Sequence, residues 1–110
     1  MQDFNSIDKM QEYFEEFVKE KGFHQETASD LMLLLQEELG ELARTVRHMA
    51  GLKVDSRAKK LTKEDLAYEI TDCITYLMIL ANKFAINLPQ AFHRKHQKDC
   101  DRVWISQNSE

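Results

Sequence analysis

Five acidic residues recur at helical spacing in two separate segments of this 110-residue chain. The first segment has the pattern E-E-x-x-E and the second has E-x-x-D; the residues are Glu37, Glu38, Glu41, Glu69 and Asp72. Side chains three and four positions apart share a helix face, so each motif clusters its carboxylates. Two like charges about 4 Å apart repel by about 4 kcal/mol at an effective dielectric of about 20. A divalent cation relieves that repulsion, and an all-oxygen ligand set suits Mg²⁺ or Mn²⁺.

The position of Glu38 distinguishes this pattern from an ordinary charged helix face. Glutamate is a strong helix former, so either motif alone is typical of a solvated surface. Glu38, however, lies only about 65° from the centre of an apolar helix face, where unpaired acids are rare. From the residues alone, a metal site and a pair of solvated acidic faces both remain open.

Two further features match a phosphate-bearing substrate. Lys95, Lys98 and Arg102 follow each other at spacings of three and four, and such a cationic stripe can bind phosphates or be a solvated face. Tyr76 lies two turns after Glu69 on the same helix edge, where it can stack on a base, bind a phosphate or be a half-buried structural residue.

The elements that must position these residues are helices. The first helix is predicted from about Ser6 to Lys21, the second from Thr27 to Gly51, the third from Thr62 to a break at Asn87 and Pro89, and the fourth to about Trp104. Thr27 with Asp30, and Thr62 with Asp65, are predicted capping boxes. If the second and third helices pack antiparallel, their acidic edges face each other.

Apolar residues at helical spacing predict the core. The stripes are Leu31, Leu35, Leu39, Leu42 and Val46 on the second helix, Leu66, Ile70, Cys73, Leu77, Ala81 and Phe84 on the third, and Phe92, Cys100 and Val103 on the fourth. The prediction is an all-α, four-helix bundle-like fold. Because a domain of this size buries a limited share of its surface, we expect a homo-oligomer that completes the core.

Composition excludes several other classes. Three glycines and one proline are too few for a sandwich or barrel, and no glycine-rich phosphate loop is present. A net charge of −4 argues against binding to a nucleic acid polymer. The sequence has no signal-peptide core and no run long enough for a membrane span. Two cysteines in apolar segments favour reduced thiols over a disulfide, so we expect a cytoplasmic protein without membrane partners.

The string LLQEELGELARTVRH, followed by EITDCITYLMILANKFAI, resembles the MazG-type all-α nucleoside triphosphate pyrophosphohydrolases. The resemblance runs from about Leu31 to Arg102, and we take residues 1–110 as one such domain with a motif-bearing core at 27–104. It implies homodimers or homotetramers of helical bundles and a magnesium-dependent reaction. It also implies that the metal ligands are Glu38, Glu41, Glu69 and Asp72, and that Glu37 supports them or orients the water.

One position departs from the family pattern. The fourth helix of the family often ends in a K-x-x-K-N-x-x-R-like string, whereas this chain reads KHQKDCDR, with Asp99 where asparagine is usual. An acid at that position repels a phosphate unless it reaches a metal, which puts the substrate contact there in question.

The resemblance implies hydrolysis of a nucleoside triphosphate to the monophosphate and pyrophosphate, with nucleotide-pool house-cleaning as its role. A carboxylate of Glu37 or Glu38 would position the attacking water, and Lys95, Lys98, Arg102 and Tyr76 would bind substrate. Three alternatives remain open: hydrolysis of phosphoribosyl-ATP on the same scaffold, a non-catalytic helical assembly module, and a module that binds nucleotides without turnover.

Overall fold

Four helices and one short 3₁₀ turn form the secondary structure of residues 2–103 and 105, the part of the chain that this computed structural model describes. The helices are α1 (Ile7–Glu20), α2 (Ala28–Met49), α3 (Lys63–Lys83) and α4 (Leu88–Cys100), and the 3₁₀ turn covers Phe23–Gln25. These residues contain no strand, which confirms the predicted all-α class.

Both helices that carry the acidic motifs begin with the predicted capping boxes. The Thr27 hydroxyl accepts a hydrogen bond from the Asp30 N–H at 3.0 Å, and the Asp30 carboxylate accepts one from the Thr27 N–H at 2.9 Å. Thr62 and Asp65 repeat the arrangement at the start of α3. Each box pairs N–H groups that a helix start otherwise leaves without a partner, so local sequence fixes where α2 and α3 begin.

The pair α2 and α3 forms an antiparallel hairpin and the largest helix interface. Leu31, near the start of α2, lines one cleft together with Ile79, near the end of α3. Buried apolar side chains along this interface and on its flanks form a small core: Leu31, Leu35, Cys73, Met78 and Ala81. Helix α1 packs against α3, and α4 contacts α1.

A buried polar side chain joins α1 to the α3–α4 corner. Gln11 is only 8% exposed, and its amide donates to Asn82 Oδ1 at 3.0 Å and to the Ile86 carbonyl at 2.8 Å. Its oxygen accepts from the N–H of Leu88, the first residue of α4, at 3.0 Å. Asn82 Nδ2 in turn donates to the Gln11 carbonyl at 2.8 Å. The network therefore fixes how α4 leaves α3, and no pattern in the sequence predicts it.

The predicted apolar stripes are only partly buried within one chain. Leu31, Leu35, Cys73 and Ala81 are buried as expected. The exposed members are Leu39, Val46, Ile70, Leu77, Phe84, Phe92 and Val103, with exposures from 41% to 88%; Cys100 is also exposed. Helical spacing identifies an apolar face, but it does not say whether the same chain covers it.

Helix α4 is also shorter than predicted. It ends at Cys100, whereas the pattern suggested about Trp104, a residue outside the described ones. No glycine or proline follows α4 to mark its end in the sequence. None of the helices described is both long enough and apolar enough for a membrane crossing.

Candidate active site

Three of the predicted metal ligands converge between α2 and α3. Glu38, Glu69 and Asp72 each offer a carboxylate oxygen, and these oxygens all lie within 4.8 Å of one another. The antiparallel hairpin explains the convergence, because it brings the middle of α2 opposite the first half of α3. Three carboxylates at this separation form an all-oxygen donor set, which fits a hard divalent cation.

The surroundings of Glu38 disfavour its charged form. Glu38 is half-buried, and burial is the largest cause that raises the pKa of its carboxyl group. The negative charges of Asp72, Glu69, Glu37 and Glu41 raise the pKa of Glu38 further. The site thus combines desolvation with like-charge repulsion, a pairing typical of catalytic and metal-binding carboxylates.

The other two acids of α2 lie outside the three-oxygen cluster. Glu41 is close enough to act on the pKa of Glu38, but it is half exposed and forms an ion pair with Arg44 at 3.8 Å. Glu37 is exposed, and its charge acts on both Glu38 and Tyr76. Both residues thus border the cluster without joining it in this structure.

An apolar cleft of about 440 Å³ adjoins the acidic cluster. Glu38 and Asp72 line it on the acidic side, and Tyr76 lies half-buried beside them. Burial raises the pKa of the Tyr76 hydroxyl, and the charges of Glu26, Glu38, Asp72 and Glu37 raise it further. The remaining wall residues are Phe17, Phe23, Glu26, Leu34, Thr75 and Ile79. One cavity therefore combines carboxylates with flat apolar surfaces.

The α1 side of this cleft was not predicted from the sequence. Phe17 belongs to α1, and Phe23 and Glu26 belong to the short segment between α1 and α2. That segment has no periodicity to interpret. The one available signal was an aromatic residue and an acid directly before the capping residue Thr27.

Lys95 and Lys98 of the cationic stripe lie on α4, whereas Arg102 lies two residues after its end. Lys95 pairs with Asp99 at 2.6 Å, and Arg102 approaches the same carboxylate at 3.9 Å. Asp99 thus forms ion pairs with two cations of the stripe. The replacement of the usual asparagine by Asp99 did not by itself predict these ion pairs. The charges that act on Glu38 all come from α2 and α3.

Comparison with known proteins identifies a family and a relative. A sequence model of the MazG nucleotide pyrophosphohydrolase domain matches residues 26–103. The uncharacterized protein YpjD of Bacillus subtilis (strain 168) is 41% identical over an alignment of 78 residues that covers 66% of this chain and 67% of that protein.

The fold has a solved counterpart. The crystal structure of YpjD from Bacillus subtilis, described there as a candidate pyrophosphatase, superposes with a TM-score of 0.73 at 31% sequence identity. The superposition covers 89% of this chain and 97% of that chain. The superposition therefore covers more of the chain than residues 26–103, which the family model matches.

Proposed function

This chain belongs to the MazG nucleotide pyrophosphohydrolase family, and from that premise we propose that it hydrolyses a nucleoside triphosphate to the monophosphate and pyrophosphate. The observation that carries this proposal is the cluster of Glu38, Glu69 and Asp72 oxygens within 4.8 Å, at the side of an aromatic-walled cleft. The acidic side suits metal-bound phosphates, and the aromatic side suits a base.

We propose Mg²⁺, or Mn²⁺ in its place, as the cofactor. Glu38, Glu69 and Asp72 would hold it, and Glu41 would join them by exchanging its partner Arg44 for the metal. When bound, such an ion offsets phosphate charge and lowers the pKa of a coordinated water.

The chain's own carboxylates would orient the attacking water and accept its proton. Glu37 and Glu38 are adjacent, and an ionised carboxylate can accept a proton from a nearby water. We propose that one of them orients the water and accepts its proton as the bond between the α- and β-phosphates breaks. No covalent intermediate is needed, since the water itself is the nucleophile.

We propose that Lys95, Lys98 and Arg102 bind the phosphate oxygens whose charge the metal does not neutralise. In this structure Asp99 accepts Lys95 at 2.6 Å, so a phosphate would have to displace that carboxylate. Tyr76 would pack against the base or bind a phosphate from the wall of the cleft.

We also propose that a second copy of this chain covers the exposed face of the α2–α3 hairpin. Apolar residues recur there at intervals of seven on both helices: Met32, Leu39 and Val46 on α2, and Ile70, Leu77 and Phe84 on α3, each at least 41% exposed. Met32 and Phe84 line one shallow cleft, so the two stripes run side by side.

The surface area supports this assembly. The chain exposes 9216 Å², whereas a folded monomer of 13.0 kDa exposes about 6,300 Å². An apolar seam repeated every seven residues is the pattern with which helices pack into bundles. A homodimer or homotetramer built on this face removes the excess.

The experiment that tests the reaction is product analysis on a panel of nucleoside triphosphates, canonical and modified, with phosphoribosyl-ATP included. We expect equal amounts of monophosphate and pyrophosphate with Mg²⁺, none with EDTA, and none from Glu38→Gln. Turnover of phosphoribosyl-ATP alone would select that alternative. If no product forms and Mg²⁺ does not change the melting temperature, the proposed reaction is overturned and the non-catalytic assembly module is favoured.

A further inference from the structure

Glu26 lines the aromatic cleft together with Glu38 and Asp72, and it belongs to neither acidic motif. Its side chain is half-buried. Among the described residues it makes no hydrogen bond or ion pair, although the exposed carboxylates of Asp30 and Asp65 are both engaged in capping boxes. A partly desolvated carboxylate without a donor has its hydrogen-bonding capacity available to a ligand.

The backbone around Glu26 holds the side chain in place. The Glu26 N–H donates to the Phe23 carbonyl at 3.2 Å and closes the 3₁₀ turn. Thr27, the next residue, is fixed by the capping box of α2. The backbone that carries the Glu26 side chain is therefore held by hydrogen bonds at its own N–H and at the next residue.

The charge of Glu26 acts on the hydroxyl of Tyr76, another residue of the cleft wall. Phe17, Phe23 and Tyr76 supply flat surfaces in the same cleft. A planar base that stacks there, with its phosphates toward Glu38 and Asp72, turns one polar edge toward Glu26.

We propose that Glu26 is a specificity-determining residue that accepts hydrogen bonds from two adjacent N–H groups of the substrate base, the pattern that guanine offers. This inference rests on the proposed function, because it names the base that the same site prefers. A carboxylate has two acceptor oxygens and no donor, so it matches adjacent N1–H and N2–H groups. Adenine and cytosine place an acceptor nitrogen beside their amino group, and uracil and thymine flank one N–H with two carbonyls.

The test compares GTP with ATP, CTP and UTP in the wild type, in Glu26→Gln and in the control Glu12→Gln, which changes an exposed acid of α1. We expect the wild type to favour GTP, and Glu26→Gln to lower kcat/KM for GTP by about 10- to 100-fold, as expected for hydrogen bonds to a charged group. An amide pairs one acceptor with one donor, so activity on ATP and CTP should hold or rise. Glu12→Gln should behave as the wild type.

The outcomes separate this inference from the reaction itself. If the protein releases pyrophosphate without a GTP preference, or if Glu26→Gln matches Glu12→Gln, the role of Glu26 is wrong and the proposed function stands. If no nucleotide is hydrolysed, the proposed function fails. The role of Glu26 is then tested by calorimetry, which compares binding of the α,β-methylene analogues of GTP and ATP. A GTP-analogue preference lost in Glu26→Gln supports it; equal or absent binding overturns it.

Discussion

Burial and neighbouring charge act in the same direction on the carboxyl group of Glu38. Its pKa is raised in the folded protein, so between the unfolded and folded pKa values the folded state binds more protons than the unfolded state. By linkage, this group's stabilising contribution is complete below the unfolded pKa and is lost as pH rises through the folded pKa. Without metal, Glu38 therefore works against folding at neutral and alkaline pH.

Glu38→Gln should thus raise the melting temperature of the metal-free protein at pH 8 and have less effect near pH 5. Mg²⁺ should raise the melting temperature of the wild type but not of the variant, which should keep its helicity and lose turnover. Thermal melts by circular dichroism with EDTA or Mg²⁺ measure all of this, with Glu12→Gln as the control. A variant less stable than the wild type at pH 8 would show that Glu38 makes favourable contacts instead.

Lys95 offers a second prediction at this scale. Its ion pair with Asp99 is exposed, and exposed pairs contribute about 0–1 kcal/mol to stability, so Lys95→Ala should leave the fold unchanged. We expect KM for the nucleotide to rise about tenfold with little change in kcat, which is the loss of one charge-assisted phosphate contact. Lys9→Ala, which breaks a similar exposed pair with Asp3, is the matched control. An unchanged KM removes Lys95 from the phosphate site.

The elements differ in how far local sequence specifies them. The capping boxes and the spacing of E-E-x-x-E and E-x-x-D were readable, because each depends on residues within one turn or two. The Gln11 network was not, because Asn82 lies 71 positions away and a lone glutamine on an amphipathic helix carries no pattern. The role of Glu26 in the cleft was not predicted for the same reason, because only folding brings Glu26 close to Tyr76.

Gln11→Leu should therefore cost more than a surface change. It leaves the Leu88 N–H, the Ile86 carbonyl and the Asn82 Oδ1 without their Gln11 partner, and each unsatisfied buried group costs about 1–3 kcal/mol. We expect the free energy of unfolding to fall by about 2–4 kcal/mol, measured by urea denaturation. Gln97→Leu, on the exposed surface of α4, should change it by less than about 0.5 kcal/mol. Equal effects would mean that the network contributes nothing beyond its surroundings.

The end of α3 offers a stabilising change. Ala85 adopts φ 53°, in the left-handed region that costs a residue with a Cβ about 1–2 kcal/mol. Ala85→Gly should raise the free energy of unfolding by up to about 1 kcal/mol. Ala67→Gly, on the exposed face of α3, should lower it by about 1 kcal/mol. Two variants with the same sign would contradict this account of the turn.

At the scale of the whole molecule, the single chain is too extended for its size. Its radius of gyration is 17.8 Å, whereas a compact chain of 110 residues has about 13 Å. The predicted core stripes form apolar faces, but more than half of their residues are exposed in the single chain. Sequence periodicity does not distinguish a face buried in the monomer from one buried between monomers.

Leu39→Glu or Leu77→Glu should break the assembly, since each places a charge in the middle of one stripe. The wild type should sediment at two or four times its 13.0 kDa mass, and the variants at a lower multiple. Leu52→Glu, equally exposed but on the connector, should leave the mass unchanged. A wild type that sediments as a monomer at micromolar concentration would overturn the proposed interface.

The connector between α2 and α3 lies outside the two helices that carry the acidic cluster. Gly51, at φ 75°, ends α2 through hydrogen bonds to residues of the last turn, and Thr62 starts α3 afresh. The three clustered carboxylates lie well inside the helices on either side. Insertions or deletions in residues 52–61 should therefore be tolerated without shifting the three clustered carboxylates. This segment can lengthen into a new surface during evolution while the acidic cluster keeps its geometry.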